Sequence, residues 1–105
     1  MIEILVGLYV VDNDGYQTYR DAMSPLLERM GGGFRYDFTI AKTLKSAAGH
    51  PINRVFIIYF PNGQTQDRFF GDETYREIKK RLFETSVKGT TIIGEYQVDP
   101  QRALD

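Results

Sequence analysis

Apolar residues fall into distinct periodic patterns along this chain. Residues 2–11 form an almost unbroken run of Ile, Val, Leu and Tyr that stops at Asp12-Asn13-Asp14-Gly15, as expected of a strand buried on both faces. Tyr16, Tyr19, Met23, Leu26, Leu27 and Met30 then recur at helical spacing, with Asp14 placed to cap the helix and Gln17 three positions on. Pro25 inside that stripe predicts either a kink or a fresh start near Ser24. Gly31-Gly32-Gly33 closes the helix. Phe34, Tyr36, Phe38, Ile40 and Leu44 next alternate with Arg35, Asp37, Thr39 and Thr43, which predicts a strand with one apolar face.

A small-residue loop, Ser46-Ala47-Ala48-Gly49-His50-Pro51, leads into the continuous apolar run of residues 54–60, a central strand closed by Pro61-Asn62-Gly63. A short helical segment over 65–70, a break near Gly71 and a second segment capped by Asp72, with Tyr75, Ile78, Leu82 and Phe83 inward, make the second helix. Residues 90–98 form the last strand, and 99–105 read as a tail beyond a single domain over 1–98.

The order β-α-β-β-α-β predicts an α+β, ferredoxin-like sandwich: a four-stranded antiparallel sheet with two helices on one face. The first and third strands are apolar on both sides, so the face opposite the helices needs a cover. A second copy of the chain, packed sheet to sheet, is the simplest one.

Composition narrows the chemistry. Thirteen Lys plus Arg against fourteen Asp plus Glu give a net charge of −1, so no basic excess exists to bind nucleic acid. The densest basic run, residues 76–81, reads as the wet side of a helix. With no cysteine there is no disulfide, thiolate nucleophile or Cys-type metal site. The apolar N-terminus lacks the basic start of a signal peptide, and no stretch approaches the ~20 residues of a membrane span, so the expected location is the cytoplasm.

Three groups of residues could carry chemistry. Asp12, Tyr16 and Tyr19 gather where the first strand meets the first helix, and could face a cavity as carboxylate and phenols, or form an Asx-type turn and part of the core. Arg35 and Asp37 share the polar face of the second strand, with Arg54 in a neighbouring position on the third; they could bind a carboxylate or form a cross-strand ion pair. His50, the only histidine, could act in acid–base chemistry or stand as a solvated loop residue. Asp12, Tyr16 and Arg54 are the candidate catalytic set, and Tyr19, Arg35, Asp37 and His50 the candidate ligand-binding set. No metal motif occurs and no cofactor is implied.

Tyr9-Val10-Val11-Asp12, Tyr16-Gln17-Thr18-Tyr19, Pro25-Leu26-Leu27, the triple glycine, residues 54–61 and Phe69-Phe70-Gly71-Asp72-Glu73-Thr74-Tyr75 together resemble a bacterial family of unknown function in the dimeric α/β-barrel superfamily, over about residues 6 to 98. An aromatic in the last of these motifs is often Trp in that family, and this chain has none. The resemblance implies a homodimer whose paired sheets form a barrel, with a cavity between sheet and helices. Haem-degrading members of the superfamily take their axial histidine from a helix. His50 lies between strands, which argues against haem here. Two functions follow: a cofactor-independent enzyme or binder acting on a small molecule, or a non-catalytic dimeric module with a packed interior.

Overall fold

The computed structural model describes residues 1–99. Residues 100–105 of the expected tail lie outside the described residues. Four strands, β1 (Ile2–Val10), β2 (Gly33–Thr39), β3 (Arg54–Phe60) and β4 (Val87–Gln97), form one antiparallel sheet in the order β2-β3-β1-β4. Three helices, α1 (Asn13–Arg29), α2 (Gly63–Phe70) and α3 (Glu73–Ile78), complete an α+β fold compatible with the ferredoxin-like order. A π-helical turn, Lys79–Phe83, extends α3, and Glu84 N–H donates to Lys79 O at 3.0 Å across it.

Alternation along β1 sends Ile4, Val6, Leu8 and Val10 toward the helices, where they meet Phe56, Ile58 and Phe60 of β3. Helix α1 answers with Tyr16, Tyr19, Met23 and Leu27, one stripe at helical spacing. The expected cap shifts by two residues: Asp12, not Asp14, is the N-cap, its Oδ1 accepting from Gly15 N–H at 3.0 Å. Gly15 is required there, since a Cβ would come within 2.5 Å of both Asp12 Oδ2 and Ser86 Oγ.

Helix α1 neither restarts nor breaks at Pro25. Pro25 and Asp21 are both exposed, so the Asp21 carbonyl deprived of its usual partner is open to water. The helix ends where Gly31 adopts φ +82°, a left-handed conformation that lets Gly32 N–H reach back to Leu27 O at 3.0 Å. The break at Gly71 and the Asp72 cap of α3 fall where the sequence placed them, with Asp72 Oδ2 accepting from Tyr75 N–H at 3.0 Å.

The second strand departs from its pattern. It stops at Thr39, and a bulge between Phe34 and Tyr36 shifts the register against β3. Phe34 lies opposite Ile58 on the helix-facing side, and beyond the bulge Asp37, opposite Phe56, takes that side. Tyr36 and Phe38 are turned to the other face, opposite Ile57 and Val55, where their rings stack with centroids 6.0 Å apart. The even alternation read from residues 34–44 is therefore cut in two. Below the bulge the chain leaves the sheet as a loop and returns at Asn53, whose side chain stands in for a strand residue: Nδ2 donates to Val10 O and Oδ1 accepts from Val10 N–H, both at 2.8 Å.

The face away from the helices carries apolar side chains from all four strands around the ion pair of Glu3 and Arg35. Leu5, Val55, Ile57 and Tyr59 are half-buried there, and Tyr36, Phe38 and Ile93 are exposed, Phe38 by 52%.

Candidate functional site

Between the sheet and the helices lies a cavity of about 470 Å³. Its floor is Ile4, Val6 and Leu8 of β1 with Phe56 and Ile58 of β3. Its roof is Tyr16, Tyr19 and Met23 of α1, Tyr75 of α3 and Phe83 of the π-helical turn. The less buried lining residues mark its mouth: exposed Thr90, Ile92 and Glu95 of β4, half-buried Gln66 and exposed Phe70 of α2, and exposed Lys79 of the π-helical turn. Gln66 Nε2 donates to Glu95 Oε1 at 2.7 Å across that mouth.

At the end near β2, Arg20 is, among the described residues, the one charged side chain buried in the lining, with 7% of its surface exposed. Its guanidinium lies 3.7 Å from the centroid of the Phe34 ring and 4.8 Å from that of Phe56. Nε donates to Tyr16 Oη at 2.7 Å, and Nη1 and Nη2 donate to the two oxygens of Asp37 at 3.2 Å each. Arg54 grips the same carboxylate from the other side, through Nε and Nη2 at 2.8 Å each. Asp37 thus accepts four charge-assisted bonds from two planar forks, and the three-residue cluster keeps a net charge of +1. Burial alone would raise the Asp37 carboxyl pKa. The Arg54 hydrogen bonds and the Arg20 charge outweigh that, and it lies below the usual carboxylate range.

The phenols behave oppositely. Tyr19 Oη and Tyr75 Oη are hydrogen-bonded to each other at 2.8 Å inside the cavity wall. Burial pushes the pKa of Tyr16, Tyr19 and Tyr75 above the ordinary phenol value; the Arg20 charge only partly offsets it at Tyr16. All three are protonated, neutral donors at physiological pH.

The seven candidates from the sequence scatter. Tyr16 and Tyr19 line the cavity. Arg54 and Asp37 stand behind Arg20 and hold it in place, with the Arg54 guanidinium 5.1 Å from the Tyr16 ring centroid. Asp12 is occupied as the helix cap and does not line the cavity. Arg35 lies at the bulge and donates through Nη1 to Glu3 Oε2 at 2.9 Å; Glu3, paired with Tyr59 and Tyr96, belongs to the face away from the helices. His50 packs against Gly89, with Nδ1 2.7 Å from Pro51 O and Nε2 3.1 Å from Thr91 Oγ1, lining a separate hollow with Ile52 and Ile93. Among the described residues no group of three His, Asp or Glu side chains is placed to hold a metal ion.

Sequence reasoning missed Arg20 and Tyr75 as site residues. Arg20 had a signal: it follows Tyr16 by four and precedes Leu27 by seven, a charge on the buried stripe of α1.

Residues 4–96 match the family described as a domain of unknown function, DUF1330. The chain belongs to this family. No curated protein matches it. Among solved structures it is similar to a protein of unknown function from Rhodopseudomonas palustris, at 21% identity and a TM-score of 0.73, covering 94% of this chain and 83% of that one. It is also similar to an uncharacterised NIPSNAP domain protein from Burkholderia xenovorans, at 10% identity and a TM-score of 0.64, covering 95% and 96%. A third likeness is to a protein from Arabidopsis thaliana, at 9% identity and a TM-score of 0.61, covering 94% and 96%. These similarities extend over the whole sheet and helix layer and speak for the fold alone. Among the described residues no helix is long and apolar enough to cross a membrane.

Proposed function

We propose that this DUF1330 protein is a homodimeric α/β-barrel binder of a small, largely apolar molecule, held between sheet and helices. The observation that carries the reading is the cavity. Its volume of about 470 Å³ falls within the roughly 300–1,000 Å³ of small-molecule sites, and its walls are apolar apart from three phenols and one guanidinium inside and Gln66, Lys79, Thr90 and Glu95 at the mouth. A non-catalytic module with a packed interior has no use for such a space. Proton abstraction is poorly served, because Asp37 is clamped outside the lining, Glu95 sits at the mouth and the interior phenols hold their protons. Binding is the function these groups suit.

The dimer rests on the apolar face that Tyr36, Phe38, Ile57 and Ile93 present away from the helices, with the pairing of two such faces closing the barrel.

The test uses N-phenyl-1-naphthylamine, a neutral probe whose fluorescence rises in apolar surroundings. Saturable binding at one probe per chain is expected. Ile92→Trp, which enlarges a mouth residue already 59% exposed, should weaken it without lowering Tm. Equal binding by wild type and Ile92→Trp would place the probe elsewhere and refute the reading. Sedimentation at micromolar concentration should give a dimer, and Ile57→Lys a monomer near 12.1 kDa; a wild-type monomer would remove the barrel.

A further inference from the structure

We infer that the molecule bound in this cavity is a carboxylate with an apolar body, its carboxylate seated against Tyr16, Arg20 and the Tyr19–Tyr75 pair. The inference deepens the binding reading and rests on it.

Phenolic and guanidinium protons at this end of the cavity outnumber the acceptors beside them. Tyr16 is 1% exposed; its oxygen accepts from Arg20 Nε, and among the described residues no acceptor takes its own proton. Tyr19 and Tyr75 have two phenolic protons and a single bond between them, so one proton of the pair is unspent. Arg20 donates three of its five N–H groups. The acceptor beside this end, Asp37, already receives four bonds, and the Glu95 carboxylate lies at the far mouth engaged with Gln66.

The buried end of the cavity therefore offers donors without acceptors, beside a cluster of net charge +1. A buried donor with no partner is costly, and an incoming acceptor removes that cost. A neutral carbonyl would answer the donors alone; a carboxylate answers the donors and the residual charge together. At the mouth Lys79 and Glu95 balance each other, so the positive charge of the Arg20–Asp37–Arg54 cluster is the one left unopposed along the cavity. The apolar floor of Ile4, Val6, Leu8 and Phe56 fixes the rest of the molecule as hydrocarbon or aromatic.

The experiment displaces N-phenyl-1-naphthylamine from wild-type protein at pH 7 with three naphthalenes of one shape: 2-naphthoate, 2-naphthylmethanol and 2-naphthylmethylammonium. Naphthoate is expected to bind roughly tenfold or more tightly than the alcohol, the worth of one or two charge-assisted bonds, and the ammonium more weakly still. Tyr16→Phe and Tyr19→Phe keep the rings and remove one hydroxyl each, so they should lower naphthoate affinity by a larger factor than that of the alcohol, whose oxygen accepts the same protons without a charge. Equal displacement by all three, or preference for the ammonium, overturns the carboxylate assignment while the cavity still binds its probe. Failure of the neutral probe itself to bind overturns the binding reading and this inference with it. Should Tyr16→Phe not fold, the three-ligand series on wild type decides alone.

Discussion

Replacing Asp37 by Asn removes one negative charge from between two guanidiniums while keeping the size and planarity of the side chain. The carboxylate holds Arg20, whose side chain is 9% exposed, and Arg54, at 18%. Taking away one partner of a fully buried ion pair costs roughly 3–5 kcal/mol, because the remaining charge stays desolvated. Asp37 itself is 33% exposed, and Asn retains one oxygen to accept part of the hydrogen bonding, so water recovers some of that loss. A destabilisation of about 2 kcal/mol at pH 7 is expected.

The effect has a defined pH dependence. The folded pKa of Asp37 lies below its unfolded value near 3.9, so its stabilisation is complete above that pH and disappears as pH falls through the lower, folded pKa. Wild type and Asp37→Asn should therefore differ most near neutrality and converge at the acid end. Urea melts followed by far-UV circular dichroism at pH 7 and at successively lower pH, at one fixed protein concentration, measure this; fixed concentration matters because dimerisation makes apparent stability depend on it. In a chain of this size about 2 kcal/mol corresponds to a fall in Tm of about 8 °C or more. A difference below about 0.5 kcal/mol at pH 7, or one that does not shrink on acidification, would refute the picture of Asp37 as the counter-charge of a buried Arg20.

Further outcomes follow from the helix ends. Asp12→Ala deletes the N-cap bond to Gly15 and should cost about 1 kcal/mol in urea denaturation while leaving probe binding unchanged; loss of binding with intact stability would return Asp12 to the site. Gly31→Ala places a Cβ on a residue at φ +82° and 3.0 Å from Pro61 Cγ, and should destabilise by about 1–2 kcal/mol; a neutral result would mean that the turn leaving α1 relaxes freely.

Periodicity alone specified most of the scaffold. The unbroken run of β1, the 16-19-23-27 stripe of α1, the glycine stop at Gly31, the apolar β3 and the break at Gly71 are local signals, each set by which few neighbouring residues must share a face or leave a helix. Local signals could not reveal the bulge at Arg35. Tyr36 and Phe38 suit either face of a strand, and only the register against β3 turns them outward and brings Asp37 in beneath α1. That single shift splits the sequence's Arg35–Asp37 pair, sending Arg35 to Glu3 and Asp37 to Arg20 and Arg54. Asp12 and His50 were visible as reactive types, but a cap bond and a loop packed on Gly89 had already claimed them. The cavity was the least legible feature. A void is the difference between the volume enclosed by two layers and the volume their side chains fill, and this difference arises only when residues from β1, β3, β4 and all three helices are brought to fixed distances. The sequence therefore determined the elements and the stripe on which Arg20 sits; tertiary packing decided which polar groups meet, and that they meet at the edge of a largely apolar cavity.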